Sequence, residues 1–303
     1  MPLATATIDA PGKVNLTLEI LGKRPDGYHD LRSVLLPVSL YETITVTERA
    51  DGDVTCHTDS DGGVALSALR HLPLEDQLAV KALRVMQRLC GTQRGADISI
   101  IKRVPIGAGM GGGSADAAGV MRALHELWNA DIPEADFLAA AASIGSDIPA
   151  LLAGGPVLME GRGERVTRLA LPGLPPPLPL HLVVAFPDIA IPTKTIYQNF
   201  AASACGASFS SAAAVAIRAA LAGDAFAAAA AATNDLQSVV FKRFPETARI
   251  HALLLEAGAL AALVSGSGSA LFGIAEDAEH AAKIQRRLPA EIWSRALETV
   301  GCN

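Results

Sequence analysis

The chain has 303 residues, of which 50% are hydrophobic, 18% charged and 4% aromatic, and its formal net charge is −6. High apolar content at low net charge excludes intrinsic disorder, and an acidic chain without a basic tract is not built to hold nucleic acid. The length fits about two domains with ample core.

Met1 to Asp9 contain no basic region and no apolar core, so no secretory signal is read there. The four cysteines, Cys56, Cys90, Cys205 and Cys302, have no C-x-x-C spacing and read as reduced thiols of a cytoplasmic protein. From Val14 to Ile20 every second residue is apolar, which predicts a strand, and Pro25-Asp26-Gly27 supplies a turn. Ser33 to Val38 and Thr43 to Thr47 are two further strand candidates. Asp76 is expected to cap a helix through Leu78, Leu83, Val85, Met86 and Leu89. Ala96 to Val104 reads as a strand, with Ile98, Ile100 and Lys102 on one face.

A glycine loop follows, Pro105-Ile106-Gly107-Ala108-Gly109-Met110-Gly111-Gly112-Gly113-Ser114-Ala115. Ser114 is expected to open a helix carrying Ala118, Met121, Leu124 and Leu127 at helical spacing. Glu134 to Ala142 predicts another helix. Pro172 to Pro179 hold five prolines in eight positions and read as a connector. His181 to Phe186 is an apolar strand candidate, followed by an Ala-rich helical region and a strand, turn, strand and helix from Leu260 to Leu288. Ala257 to Ala275 carry no charge, but the Ser265-Gly266-Ser267-Gly268-Ser269 alternation at their centre fits two short strands around a turn better than a membrane span. Strands early and helices later, without regular alternation, point to an α+β fold.

The glycine loop carries the chemistry. Five glycines fall in the seven positions 107–113, between a strand and a helix. Glycine lets backbone N–H groups approach a ligand, and a helix N-terminus adds unpaired donors and a positive dipole end, so the pattern suits phosphate. Gly107, Gly109 and Gly112 satisfy G-x-G-x-x-G, but no strand ending in an acidic residue follows at the dinucleotide-binding distance. A Walker loop fails because position 113 is Gly where its lysine belongs. Lys13, beside Pro11-Gly12, and Lys102, at the entry to the loop, are the candidate cations, each with an ordinary surface lysine as the alternative. Asp147, in Gly145-Ser146-Asp147-Ile148-Pro149, is either a helix cap or a carboxylate that accepts a proton from an attacking hydroxyl. The turn Val264 to Ala270 is either a tight hairpin or a second wall on the same ligand.

Pro11-Gly12-Lys13-Val14-Asn15, the loop from Pro105 to Ser114 and Ser265-Gly266-Ser267-Gly268, in that order, resemble the three motifs of the GHMP kinases, the small-molecule kinases that include galactokinase, homoserine kinase and mevalonate kinase. Gly22 to His29, the triple glycine Gly111-Gly112-Gly113, Gly145 to Pro149 and Ile191-Pro192-Thr193 are similar to the branch that phosphorylates a cytidine-diphosphate-linked methylerythritol. The resemblance implies a two-domain α+β kinase with its active site in a cleft between the domains, residues 1–160 forming the N-terminal ATP-binding domain and 161–303 the C-terminal domain. It implies ATP and Mg²⁺, with the triphosphate on the loop from Pro105 to Ala115, Ser114 as a metal ligand and Lys102 near the nucleotide. Gln77 stands where the family more often places Asn against the adenine; the amide is kept and a methylene added. Asp147 matches the catalytic aspartate and Lys13 its charge partner. Asn15, Tyr28, His29, Thr193 and Tyr197 match substrate-binding positions, Tyr28 and His29 at the cytosine. The implied reaction is phosphorylation of the substrate's 2-hydroxyl in the non-mevalonate route to isoprenoid precursors. The implied enzyme is a monomer or homodimer without membrane or nucleic-acid partners.

Overall fold

The structure is a computed structural model that describes residues 3–69, 72–169, 177–200 and 211–301. Cys205, Cys302 and the first part of the proline-rich connector, including Pro172, Pro175 and Pro176, lie outside the described residues. The chain forms two compact units. The first comprises Met1–Gly12, Leu40–Ile106 and Gly111–Leu152; the second comprises Lys13–Ser39, Gly107–Met110 and Ala153–Asn303. Two long strands, β1 (Thr5–Lys23) and β2 (His29–Arg49), run through both units.

In the first unit, β3 (Val54–Ser60) leads through α1 (Leu78–Cys90) to β4 (Gly95–Lys102), which lies parallel to β3. The other edge of β4 pairs antiparallel with the second half of β2, Thr43 opposite Ile101 and Arg49 opposite Gly95. Three helices follow: α2 (Gly112–Leu127), α3 (Glu134–Ile144) and α4 (Ile148–Ala153). One face of the sheet supplies Ile44, Val46, Ile98 and Ile100 to a core completed by Leu83 and Met86 of α1 and Met121 and Leu124 of α2. Each such side chain contributes roughly 1.5–3 kcal/mol on burial. Gly119 sets how closely α2 approaches the sheet, because a Cβ there would lie 2.7 Å from Ile44 Cδ1. The strand reading of β4 holds: Ile98, Ile100 and Lys102 are buried, and Ser99 is exposed.

In the second unit, the first half of β2 pairs with β5 (Val157–Gly161), which continues to β6 (Arg165–Arg168). β1 pairs parallel with β8 (Thr233–Asn234) at Thr17 and Leu18. A separate antiparallel sheet has the order β11-β7-β10-β9, where β7 is His181–Phe186, β9 Ala261–Val264, β10 Leu271–Ala275 and β11 Trp293–Glu298. The helices of this unit are α5 (Thr193–Asn199), α6 (Ser211–Ala222), α7 (Ala225–Ala231), α8 (Gln237–Arg243), α9 (Pro245–Glu256) and α10 (Ala278–Arg287). Asp224 and Asp277 cap α7 and α10 by accepting from Ala227 N–H and His280 N–H.

Three local expectations change. Asp76 does not cap α1: Gln77 N–H donates to Leu74 O at 3.2 Å, a tight turn occupies Leu74–Asp76, and the helix starts after Gln77. The helix expected from Ser114 begins two residues earlier, at Gly112. The two strand candidates after residue 33 are one strand, since β2 continues through Pro37. The uncharged run 257–275 is β9, a turn and β10, and no helix among the described residues is long and apolar enough to cross a membrane. Among the described residues, Cys56 and Cys90 form no disulfide, and burial pushes the Cys56 thiol up to about 11.

Candidate active site

In the second unit a polar row runs along the buried start of β1. Strand alternation puts Lys13, Asn15 and Thr17 on one face. Lys13 Nζ donates to Asn15 Oδ1 at 2.8 Å, Asn15 Nδ2 donates to Ser33 Oγ at 2.7 Å, and Ser33 Oγ donates to the Thr17 carbonyl at 2.6 Å. Lys13 and Asn15 are each only 4% exposed, so these bonds fix a cation and an amide whose desolvation would otherwise be unfavourable.

The glycine-loop segment of this unit, Gly107–Met110, is strung between Lys13 and the second glycine turn. Lys13 N–H donates to Met110 O at 2.9 Å, Ala270 N–H to Ala108 O at 3.0 Å, and Ser265 Oγ to Gly109 O at 3.0 Å. Gly107 and Gly109 have φ of 71° and 75°, in the left-handed region that glycine tolerates. Gly266 is held as closely: a Cβ there would lie 3.2 Å from Lys13 Nζ and 3.3 Å from Asn15 Oδ1. Asn234 Nδ2 holds the turn by donating to Val264 O and Gly266 O, both at 2.8 Å. The structure thus brings Lys13, Asn15, this half of the first loop and the Ser-Gly turn together. The turn connects β9 to β10 and also packs against Gly107–Met110.

A second cluster in the same unit gathers rings. The His29 imidazole lies 5.5 Å from the Tyr197 ring and meets Phe200 edge-on at 6.2 Å. Burial, with the charge of Lys23, lowers the His29 pKa and favours the neutral ring, which can donate and accept. Tyr28 is 58% exposed, with the Arg162 guanidinium 4.9 Å from its ring centroid. Such exposure of a large ring beside a buried histidine suits stacking with a flat ligand. Thr193 Oγ1 lies 2.9 Å from Ser267 Oγ, tying the start of α5 to the Ser-Gly turn.

In the first unit the remaining loop residues open α2. Gly111 has φ 72°, Gly113 is exposed, Ser114 is half-buried in the first helical turn, and Ala115 is buried. The first N–H groups of a sixteen-residue helix are therefore available at a glycine-lined surface. Ala108 and Met110 bury their side chains, as does Pro105, so these residues anchor the loop and leave its backbone for a ligand. Asp147 stands just before α4, where its carbonyl accepts from Leu151 N–H at 3.1 Å. Gln77 is at the start of α1 and makes no side-chain cap. Lys102 is only 2% exposed, and its Nζ lies 2.6 Å from Glu42 Oε1 and 2.7 Å from Asp116 Oδ2. Neither carboxylate was singled out from the sequence, although a lysine on the buried face of a strand demands such partners.

Residues 77–155 match the family profile described as GHMP kinases N terminal domain, and residues 211–294 match that of GHMP kinases C terminal. A relative in Symbiobacterium thermophilum named 4-diphosphocytidyl-2-C-methyl-D-erythritol kinase is 38% identical over 93% of this chain and 94% of its own length. A protein of the same name in Streptomyces coelicolor is 38% identical over 97% of this chain and 96% of its own. A crystal structure of 4-(cytidine 5'-diphospho)-2C-methyl-D-erythritol kinase superposes with a TM-score of 0.77 at 30% identity, covering 98% of this chain and 100% of the other. Taken with the two glycine-rich turns and the buried lysine row, these likenesses make the chain a member of the GHMP kinases, in the branch of the 4-diphosphocytidyl-2-C-methyl-D-erythritol kinases.

Proposed function

We propose that this kinase transfers the γ-phosphoryl group of ATP to the 2-hydroxyl of 4-diphosphocytidyl-2-C-methyl-D-erythritol. What supports the substrate most is the shared name of relatives 38% identical over nearly their whole length. The ring cluster of His29, Tyr197 and Phe200, with the exposed Tyr28 next to His29 in sequence, supports it physically, since a pyrimidine gains roughly 1–3 kcal/mol from stacking on an aromatic ring. The implied boundary after residue 160, with ATP binding assigned to 1–160, falls between the two family profiles; the compact units are cut differently, since Lys13–Ser39, Gly107–Met110 and the residues from Ala153 on belong to the second. We place the enzyme in the cytoplasm as a monomer or homodimer.

Phosphoryl transfer depends on positioning and charge neutralisation more than on covalent help. In this reading Asp147 accepts the proton of the substrate hydroxyl as its oxygen bonds to the γ-phosphorus. The bond from that phosphorus to the bridging oxygen breaks, and ADP leaves. Lys13 supplies positive charge for the Asp147 carboxylate and the developing charge, and Asn15 orients the acceptor. The backbone of residues 105–115 cradles the phosphates, and Gln77 reaches the adenine. Thr193 and Tyr197 close on the substrate, with His29 on the edge of the cytosine.

Mg²⁺ fits this donor set. Mg²⁺ characteristically binds through substrate phosphates with few protein oxygens, and a serine hydroxyl in the first turn of α2 is of that kind. Ser114 would be such an oxygen, and the ion would neutralise the β- and γ-phosphate charge. The test is turnover with a substrate panel. Activity confined to mevalonate or homoserine would keep the family and remove the substrate, while ATP binding without turnover on any acceptor would favour a silent binding protein on the same scaffold.

A further inference from the structure

We propose that Glu42, Lys102 and Asp116 form a buried charge clamp that fixes the glycine turn opening α2, so that Lys102 serves as a positioning residue and does not bind the nucleotide itself. The proposal rests on reading that turn as the phosphate cradle. Lys102 ends β4 on the way into the turn, and Asp116 lies in the first turns of α2 on the way out. The ammonium bridges the two ends through Asp116 Oδ2 at 2.7 Å and Glu42 Oε1 at 2.6 Å. Glu42, fully buried, grips both ends again. Its Oε2 accepts from Arg103 N–H at 2.6 Å, the first peptide beyond β4. Its Oε1 would lie 3.1 Å from a Cβ on Gly112, so the carboxylate packs against the turn itself.

An ammonium that is 2% exposed and held by two carboxylates is not presented to a phosphate. Burial alone would lower the Lys102 pKa, but Asp116 and Glu42 outweigh it and keep the cation charged. Two carboxylates against one cation leave one surplus negative charge in a buried site. Burial pushes Glu42 up to about 7, against the pull of Lys102.

The clamp and a simple charge effect predict opposite outcomes. Deleting a carboxylate near a phosphate site should strengthen ATP binding if charge alone matters. If the carboxylate holds the turn, binding should weaken. The experiment titrates a non-hydrolysable ATP analogue and the cytidine substrate into wild type, Asp116→Ala, Asp116→Asn, Glu42→Ala and Lys102→Met. Hydrogen exchange at the amides of residues 111–115 is followed in parallel. In Asp116→Ala and Glu42→Ala, Lys102 keeps one carboxylate, which preserves the fold. The expected result is analogue affinity at least fivefold weaker in both, cytidine-substrate affinity within twofold of wild type, and faster exchange at the turn. Asp116→Asn, still able to accept from Lys102, should restore binding to within threefold. Unchanged or tighter analogue binding in both alanine variants overturns the clamp, as does a loss confined to Lys102→Met. Should wild type not bind the analogue, the phosphate-cradle reading fails; exchange in Asp116→Ala then decides the clamp alone, with unaltered exchange overturning it.

Discussion

Gly109→Ala tests whether the two glycine turns form one rigid structure. Gly109 has φ 75°, where an alanine is strained by roughly 1–2 kcal/mol. A Cβ there would overlap the Ser265 carbonyl oxygen and lie 2.9 Å from Gly268 O, so the Ser-Gly turn must retreat. Retreat breaks the Ser265 Oγ bond to Gly109 O and the Ala270 N–H bond to Ala108 O. Each is a partly or fully buried bond contributing about 1 kcal/mol. The total is about 3–4 kcal/mol, which in a protein of this size lowers Tm by about 5–6 °C. Thermal unfolding measures the loss, and KM for ATP measures the distortion of the loop. Gly113→Ala is the control: its Cβ would meet only Leu78 Cδ1, at 3.3 Å, so Tm should stay within about 2 °C. Equal Tm and equal KM for Gly109→Ala and wild type would refute the packing argument.

Asp147→Asn should lower kcat about 10²–10⁴-fold with little change in KM for ATP. Asparagine caps helices as well as aspartate does, so near wild-type turnover would leave Asp147 as a cap alone. Glu42→Gln should remove a pH dependence of stability. The folded-state pKa of Glu42 is raised from 4.5 to about 7, so its stabilising contribution is complete below about 4.5 and is lost as pH rises through 7. That loss is about 3 kcal/mol. Urea titrations at pH 5 and 8 should therefore show a smaller drop in the Gln variant, and identical drops would contradict the burial argument. The lowered His29 pKa works in the opposite sense, since the neutral ring is favoured by the fold and stability is lost as pH falls below the ordinary histidine value. His29→Gln should flatten that acid limb in the same titrations. Tyr28→Ala should weaken the cytidine substrate more than ATP, and equal loss of both in steady-state kinetics would assign Tyr28 a folding role.

The elements with strong periodicity were legible in the chain. β4 appears where Ile98, Ile100 and Lys102 alternate, and the uncharged run near the C-terminus is the β9–β10 hairpin that its Ser/Gly centre implied. The glycine loop was legible as a turn, because backbone in the left-handed region at Gly107, Gly109 and Gly111 demands glycine. Helix starts were less so: backbone hydrogen bonds around Leu74 and Gln77 displaced the boundary that Asp76 suggested. The partners of Lys102 were invisible for a different reason. Glu42 and Asp116 lie 60 and 14 residues away, and only the antiparallel pairing of β2 with β4 and the return of α2 bring them to the lysine. The polar row from Lys13 to Ser33 was half visible, as alternation along β1, while its Ser33 end depended on β2 folding back.

The most direct test is a ³¹P NMR assay of purified enzyme with ATP, Mg²⁺ and 4-diphosphocytidyl-2-C-methyl-D-erythritol, run beside mevalonate and homoserine. The predicted result is a new phosphomonoester at the 2-hydroxyl of the cytidine substrate, formed one for one with ADP, and no product from the other two acceptors. Phosphorylation of mevalonate or homoserine alone, or no product from any acceptor, would contradict the account.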